Sequence, residues 1–302
     1  MSNAKEIKRK ISSIQNTQKI TKAMELISTV KMKKASDLAL SKREFILEML
    51  KIFLRIEKYL WDFPLFSEWK WEKTLWVIIT SNKWLCWGYN VNVMKKVNSY
   101  IKRTKEDLDF VTIWKKAANF VVKTWNNLIA DFSTDFSDEI EPIFTKNIST
   151  LLREEFLSWK YKKVMIFYNY YINTIKQIAV EKISLPIDAE EIKKYLISIL
   201  DDYTDLDREL NINTKINYKL EPTSTTLAIE IIPIILDMIF HGILLQSKAS
   251  EHSSRMVAMK WAKDNAGNIA SSLILKYNKA RQAIITREVS EITAGVESMK
   301  EV

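Results

Sequence analysis

"IKRKISSIQNTQKITKAMELISTVKMKKA", residues 7–35, decides the architecture of this chain. Ile7, Ile11, Ile14, Ile20, Met24 and Ile27 return at helical spacing, and Ala35 and Leu38 extend the pattern. Neither Pro nor Gly occurs from Met1 to Phe63, and Asn3 with Glu6 three residues later makes a capping box. The pattern predicts one helix of roughly 55 residues, about 80 Å long at 1.5 Å per residue. Its apolar stripe is narrow and interrupted by Gln18, Thr21 and Ser28. Such a helix cannot bury itself and needs a second helix alongside.

The opposite end of the chain supplies that partner. After Pro233 no proline occurs, and Met256, Met259, Ile269, Leu273, Leu275, Ile284, Ile285, Val289 and Ile292 recur at helical spacing. Pro233 suits a helix start, with a shorter helix over 225–232 before it. Two helices of similar length at opposite ends predict an antiparallel coiled coil. Between them, "TLWVIIT" (74–80), "DFVTIW" (109–114) and "NLIADF" (127–132) read as strands, and 90–103 and 143–158 as helices. Segments 162–171 and 177–186 read as a closing antiparallel pair. The expected fold is therefore long helices plus α/β: a coiled coil of N- and C-terminal helices with an inserted Rossmann-like domain. The segments are 1–63 for the first helix, 74–186 for the α/β domain, 187–222 for a charged linker and 223–302 for the last helix.

Composition narrows the chemistry. The lone Cys86 excludes an internal disulfide framework and a cysteine metal site, and His241 and His252 are the only histidines. They leave little room for zinc chemistry or a His-based triad. No charged-then-apolar leader opens the chain. The run "TTLAIEIIPIILDMIFHGILLQ" (225–246) carries Glu230, Asp237 and His241. A charged residue such as Asp at a bilayer centre costs about 2.5–3.5 kcal/mol on insertion scales, so a buried amphipathic helix is expected there.

The net charge of +9 is concentrated in residues 1–43, where eleven Lys/Arg meet only Glu6, Glu25 and Asp37. That segment should face something acidic: nucleic acid, a lipid surface or a carboxylate-rich protein. A basic coiled-coil protein binding nucleic acid is one reading. It lacks stacking aromatics, since residues 1–43 contain none and Phe45 lies just beyond. An enzyme built on the α/β domain is another, with "SNKWLCWGYN" (81–90) as a phosphate-cradling turn. That turn has no Gly-Lys-Ser/Thr ending. The pairs Glu190/Glu191 and Asp201/Asp202 read as solvated linker charges, and His252 beside Glu251 as a packing or polar contact.

Specific motifs go further. Residues 7–35, "ASEHSSRMVAM" (249–259) and "YNKARQAIITREVSEI" (277–292) closely resemble the gamma subunit of F-type ATP synthases. "ITSNKWLCWGYN" (79–90) is similar to a family segment that usually runs I-T-S-D-x-G-L-C-G-G-x-N, and the likeness covers nearly the whole chain in order. The resemblance implies a non-catalytic rotor, coupling flow of protons or sodium through a membrane ring to ATP synthesis or hydrolysis. Its helices would form the axle inside the alpha and beta subunits, with the α/β domain at the foot beside the epsilon subunit and the ring of c subunits. It would sit peripherally on the cytoplasmic face of the cell membrane, without nucleic acid or cofactor. It also implies that Met24 faces a lever loop of beta, and that Arg281, Gln282, Thr286 and Glu288 meet beta catch loops. Taken without the motif, Met24 reads as a seam residue and Arg281 and Gln282 as a solvated face. Arg287 stands where the family often has Gln.

One anomaly remains. Average usage of about 7% predicts roughly 21 glycines, but the chain has 4, alongside 10 tryptophans. Trp84, Trp87, Trp114, Trp125 and Trp159 stand where the resembled family has glycine. Trp69, Trp71 and Trp261 are further candidates, Trp76 inside a strand fits a true tryptophan, and Trp61 is undecided. Some bacterial lineages read UGA as glycine and others as tryptophan, so the expectation is a sequence translated with the wrong code. The rival is a lineage that truly replaced these glycines, at a cost on the order of 1–3 kcal/mol for each strained site, a large share of a domain's stability.

Overall fold

The computed structural model describes residues 2–56, 64–66, 73–86, 88–104, 106–124, 127–133, 140–192, 221 and 223–300. The chain divides into two compact units, Met1–Thr29 with Arg255–Val302, and Val30–Ser254. Two long helices contribute to both: α1 (Ser2–Ser41) and α6 (Ser224–Lys300).

In the first unit α1 and α6 run antiparallel, because Gln18 approaches Gly267 while Glu25, seven residues later, bonds Lys263 (2.8 Å). Small and polar side chains fill the seam: Thr21, Ser28, Ala266 and Ala270 are buried, with Met259. The hydrogen bond to Glu25 holds the Lys263 ammonium above its usual range. A Cβ on Gly267 would stand 2.9 Å from Nε2 of Gln18, the far end of a flexible side chain that can swing aside. Gly267→Ala is therefore expected to stabilise by about 0.5–1 kcal/mol, by removing glycine from a helix interior, read as a small rise in melting temperature.

The second unit is a three-layer α/β domain. Its strands are β1 (Lys73–Ile79), β2 (Asp107–Ile113), β3 (Asn127–Phe132), β4 (Lys163–Tyr171) and β5 (Gln177–Leu185), ordered β3-β2-β1-β4-β5. All pair in parallel except the β4–β5 hairpin. Both faces of β1 are covered, which is why it reads as one apolar run. Trp76 and Ile78 face α3 (Tyr89–Ile101) and α4 (Lys115–Lys123), through Val93, Val97, Ala117 and Val121. Leu75, Val77 and Ile79 face α2 (Arg43–Ile56), α5 (Pro142–Leu157) and the first part of α6. Trp76 sits among Tyr100, Phe110 and Phe167 with ring centroids 4.8–6.2 Å away, while its indole N–H is buried without a hydrogen-bond partner among the described residues.

Asp109 on β2 is buried and accepts hydrogen bonds from Tyr161, Lys73 and Asn127, each at 2.7 Å. Burial alone would raise its pKa, but these three donors outweigh it and hold the carboxyl below its usual range. The sign follows: this stability is complete above the unfolded pKa of about 4 and is lost as pH falls through the lower folded value. Asp109→Ala is expected to remove about 2–3 kcal/mol at neutral pH and to weaken the acid dependence of the denaturation midpoint.

Four expectations need correction. The first helix is not continuous, because Lys42 interrupts it between α1 and α2. The Lys42 ammonium turns inward to donate to His241 Nε2 (3.1 Å), and Thr145 Oγ1 lies 3.0 Å from His241 Nδ1. Burial, with Lys42 adding to it, pushes the His241 pKa down to about 4, so the neutral ring accepts from Lys42 and donates to Thr145. Beyond the break Ile46, Leu47, Leu50 and Phe53 pack into the sheet's core. Pro233 does not begin a helix but lies inside α6. Buried Ile232, Ile235 and Leu236 hold the direction on both sides of it, and the carbonyl it leaves unpaired belongs to exposed Ile229. The two end helices are consequently unequal, 40 against 77 residues. Helix α4 was not expected at all, and Ile187 and Ile192, placed in the linker, are buried in the core. The rest of that linker, 193–220, lies outside the described residues. Helix α6 is long and apolar enough to cross a membrane, yet Ile239, Phe240, Ile243, Leu244 and Leu245 of its apolar run are buried in this core.

Candidate functional site

In a doubly wound sheet ligands enter the crevice at the carboxyl ends of the strands, where the strand order reverses. Here that point lies between β1 and β4, and α6 occupies it. Tyr89, opening α3 after β1, donates from Oη to the Ser247 carbonyl (3.1 Å) and lies 2.6 Å from Ser247 Oγ. Asn169 of β4 donates to the Tyr89 carbonyl (2.9 Å), and Ser250 Oγ donates to the Asn169 carbonyl (3.1 Å). Ser253 Oγ donates to the Thr174 carbonyl (2.6 Å) and Ser254 Oγ to Gln177 Oε1 (3.0 Å). The run Ser247–Ser254 is thus polar and almost wholly buried because its hydroxyls clamp α6 across the crevice. Within it Lys248 and Glu251 form an ion pair (3.1 Å), both side chains only 4% exposed, and the Lys248 ammonium lies 4.0 Å from the Trp114 ring centroid. His252 is buried in the same stretch.

The turn after β1 is likewise committed. Asn90 clips Ser81, accepting from its N–H (2.9 Å) and donating to its Oγ (2.8 Å). Thr80 Oγ1 accepts from the N–H of Ala117 (2.8 Å) and Asn82 Oδ1 from that of Lys115 (2.9 Å). Those N–H groups are the orphan donors at the start of α4, whose own N-cap residue, Trp114, offers no side-chain cap. The turn caps a neighbouring helix rather than cradling a phosphate.

The other candidate surface is the last stretch of α6. Among the described side chains, every one from Ile285 to Val296 is exposed, as is Met299. Ile285, Val289, Ile292 and Val296, 50–67% exposed, form one stripe at helical spacing. At 100° per residue Arg281 and Glu288 flank it on one side, and Gln282 and Thr286 on the other. All four are exposed and make no hydrogen bond or ion pair with described residues, while Arg287 bonds Glu291 (3.5 Å). An apolar stripe without a partner among the described residues, rimmed by polar groups, has the make-up of a protein-interaction surface. Ile285, Val289 and Ile292 belong to the helical periodicity read from the sequence, and here they are exposed. Met24 is half-buried on α1, beside the buried seam residues Thr21 and Ser28, and exposed Ile20, Leu26 and Ile27 lie near it.

The tryptophans divide. Trp114 is fully buried with φ 70° and ψ 150°, and Trp159 is half exposed with φ 63°. Trp84 is 74% exposed, its ring centroid 3.2 Å from the Lys116 ammonium, and neighbouring Leu85 carries φ 70°. Burial, ahead of nearby like charges, lowers the Lys116 pKa. Trp87 and Trp125 lie outside the described residues.

A family model described as ATP synthase matches residues 3–299. The chain belongs to the ATP synthase gamma-chain family. Its relatives of that name include a protein of Amoebophilus asiaticus, 31% identical over 309 residues and covering 100% of both chains. Another, from Halothermothrix orenii, is 31% identical over 303 residues, covering 99% of this chain and 100% of the relative. Among solved structures, a chain of the Euglena gracilis mitochondrial ATP synthase, in an assembly of OSCP, F1 and c-ring, has the same fold. Its TM-score is 0.64 at 16% identity, covering 99% of this chain and 95% of that one. The gamma-chain fold joins long terminal helices to a mostly parallel, Rossmann-like sheet, as here. The nucleic-acid alternative finds no support in these relatives.

Proposed function

We propose that this chain is the central rotor stalk of an F-type ATP synthase, coupling ion flow through a membrane ring to ATP synthesis or hydrolysis in an alpha/beta head. The observation that carries this reading is the apolar stripe Ile285–Val296 with its polar rim. A helical stretch that exposes four large apolar side chains along one line needs a surrounding partner, and an alpha/beta head would supply one. Arg281, Gln282, Thr286 and Glu288 would make the rim contacts with beta subunits, and Met24 a contact on α1. The basic segment 1–43 would face acidic loops of the same subunits.

The chain's role in this reading is mechanical, not catalytic. The crevice where a Rossmann-like sheet would take a nucleotide is filled by α6, and the turn after β1 spends its polar groups on α4. Residues 1–29 and 255–302 would be the axle, and the unit of residues 30–254 the foot against the epsilon subunit and the ring of c subunits. The protein would be peripheral on the cytoplasmic face of the cell membrane. Co-expression with its cognate alpha and beta subunits tests this: the three should co-purify with ATPase activity well above that of alpha and beta alone. Co-purification failure, or activity unchanged by the chain, would reject the reading.

A further inference from the structure

We infer that Trp114 and Trp159 are glycines in the protein the cell makes, their codons being UGA read as glycine, and that Trp84, Trp87 and Trp125 share this origin. The backbone carries the argument. At Trp114, φ 70° with ψ 150° falls in a region that essentially only glycine occupies. It lies between β2 and α4, where a strand must turn sharply into a helix. Trp159 follows the C-cap of α5, Ser158, whose N–H bonds the Glu154 carbonyl (2.9 Å), while the N–H of Trp159 bonds the Phe156 carbonyl (3.3 Å). This residue just past the C-cap is the position where helices most often end on a left-handed glycine, and φ 63° is that conformation. Trp125 holds the same place in sequence, directly after Thr124, the C-cap of α4.

The distribution of residue types is inverted as well. No described glycine has a positive φ. Gly242, Gly267 and Gly295 lie inside α6, where glycine is unfavourable, and Gly88 has φ −72°. The described non-glycine residues with positive φ are Trp114, Trp159 and Leu85, the last lying between Trp84 and Trp87. Tryptophan is 10 of 302 residues yet supplies two of these three. Ordinary replacement of glycine there would bring in Asn or Asp, which tolerate the left-handed region. Replacement by the bulkiest side chain, at several such places together, is what a codon assignment produces and what selection on shape does not. Trp76, with negative φ and a full aromatic cage, and Trp261, within α6, show no such backbone demand.

Two readouts test the inference: the codons of the gene at positions 84, 87, 114, 125 and 159, and peptide masses of the protein purified from its native cells. The expected result is UGA at all five with glycine masses. A UGG codon or a tryptophan mass at 114 or 159 overturns it. Where native cells are not in hand, the chain as written is compared with a Trp114→Gly, Trp159→Gly chain expressed in parallel. The glycine chain should melt several degrees higher, and an equal or lower melting temperature counts against the inference. Neither readout depends on the rotor reading.

Discussion

Changing Ile285, Val289 and Ile292 together to glutamate is expected to abolish assembly with alpha and beta subunits while leaving the isolated chain folded. These side chains are 50–67% exposed and contribute nothing to either core, so the melting temperature should barely move. Each would bury an apolar group worth about 1.5–3 kcal/mol in a surrounding sleeve, and each substitution would put a charge there instead. The combined loss is on the order of a thousandfold or more in affinity, at 1.4 kcal/mol per decade. Gel filtration with alpha and beta subunits and ATPase activity read the effect. A triple variant that assembles and activates normally would show that the stripe is not the interface. Single changes at Arg281 or Glu288, on the solvated rim, are expected to act far more mildly.

Glu251→Ala is expected to be the most damaging single change in the α/β unit, at about 3–5 kcal/mol, because it strands the Lys248 ammonium in a buried site. That is a large share of a domain's stability of about 5–15 kcal/mol. The charge pair itself is worth much less than this penalty. A Lys248→Met, Glu251→Leu double variant should therefore recover most of the loss. Denaturant midpoints of the two variants check both statements. A single variant as stable as the double would mean that water or another group already compensates Lys248.

The strands were readable from the sequence because their apolar runs are bounded by turn residues: four of the five lie within one residue of their expected limits, and β2 begins two residues earlier than expected. Helix α4 was not, since its buried face is Ala117, Ala118 and Val121, and alanines leave no visible stripe. The break at Lys42 has no Gly or Pro to announce it, and the Lys42 ammonium there meets His241, 199 residues away in sequence. Pro233 misled in the opposite sense: its local preference for a helix start yielded to packing on both sides. The proposed contact residues Arg281, Gln282, Thr286 and Glu288 came from a motif, and the structure adds the exposed stripe Ile285, Val289, Ile292 and Val296 beside them. Periodicity cannot tell an apolar face that waits for another subunit from one that pairs within its own chain. The buried polar clamp at 247–254 was quoted as a motif without a role, since its meaning lies in the ends of strands far away in sequence.

The central claim is that this chain turns. The most direct test fixes an assembled alpha/beta complex to a surface through its alpha or beta subunits and attaches a fluorescent or bead label to an exposed engineered cysteine at Ile175. That residue is 85% exposed in the β4–β5 turn of the foot. On addition of ATP the label should rotate continuously in one direction. A complex that contains the chain and hydrolyses ATP while the label stays still would contradict the account.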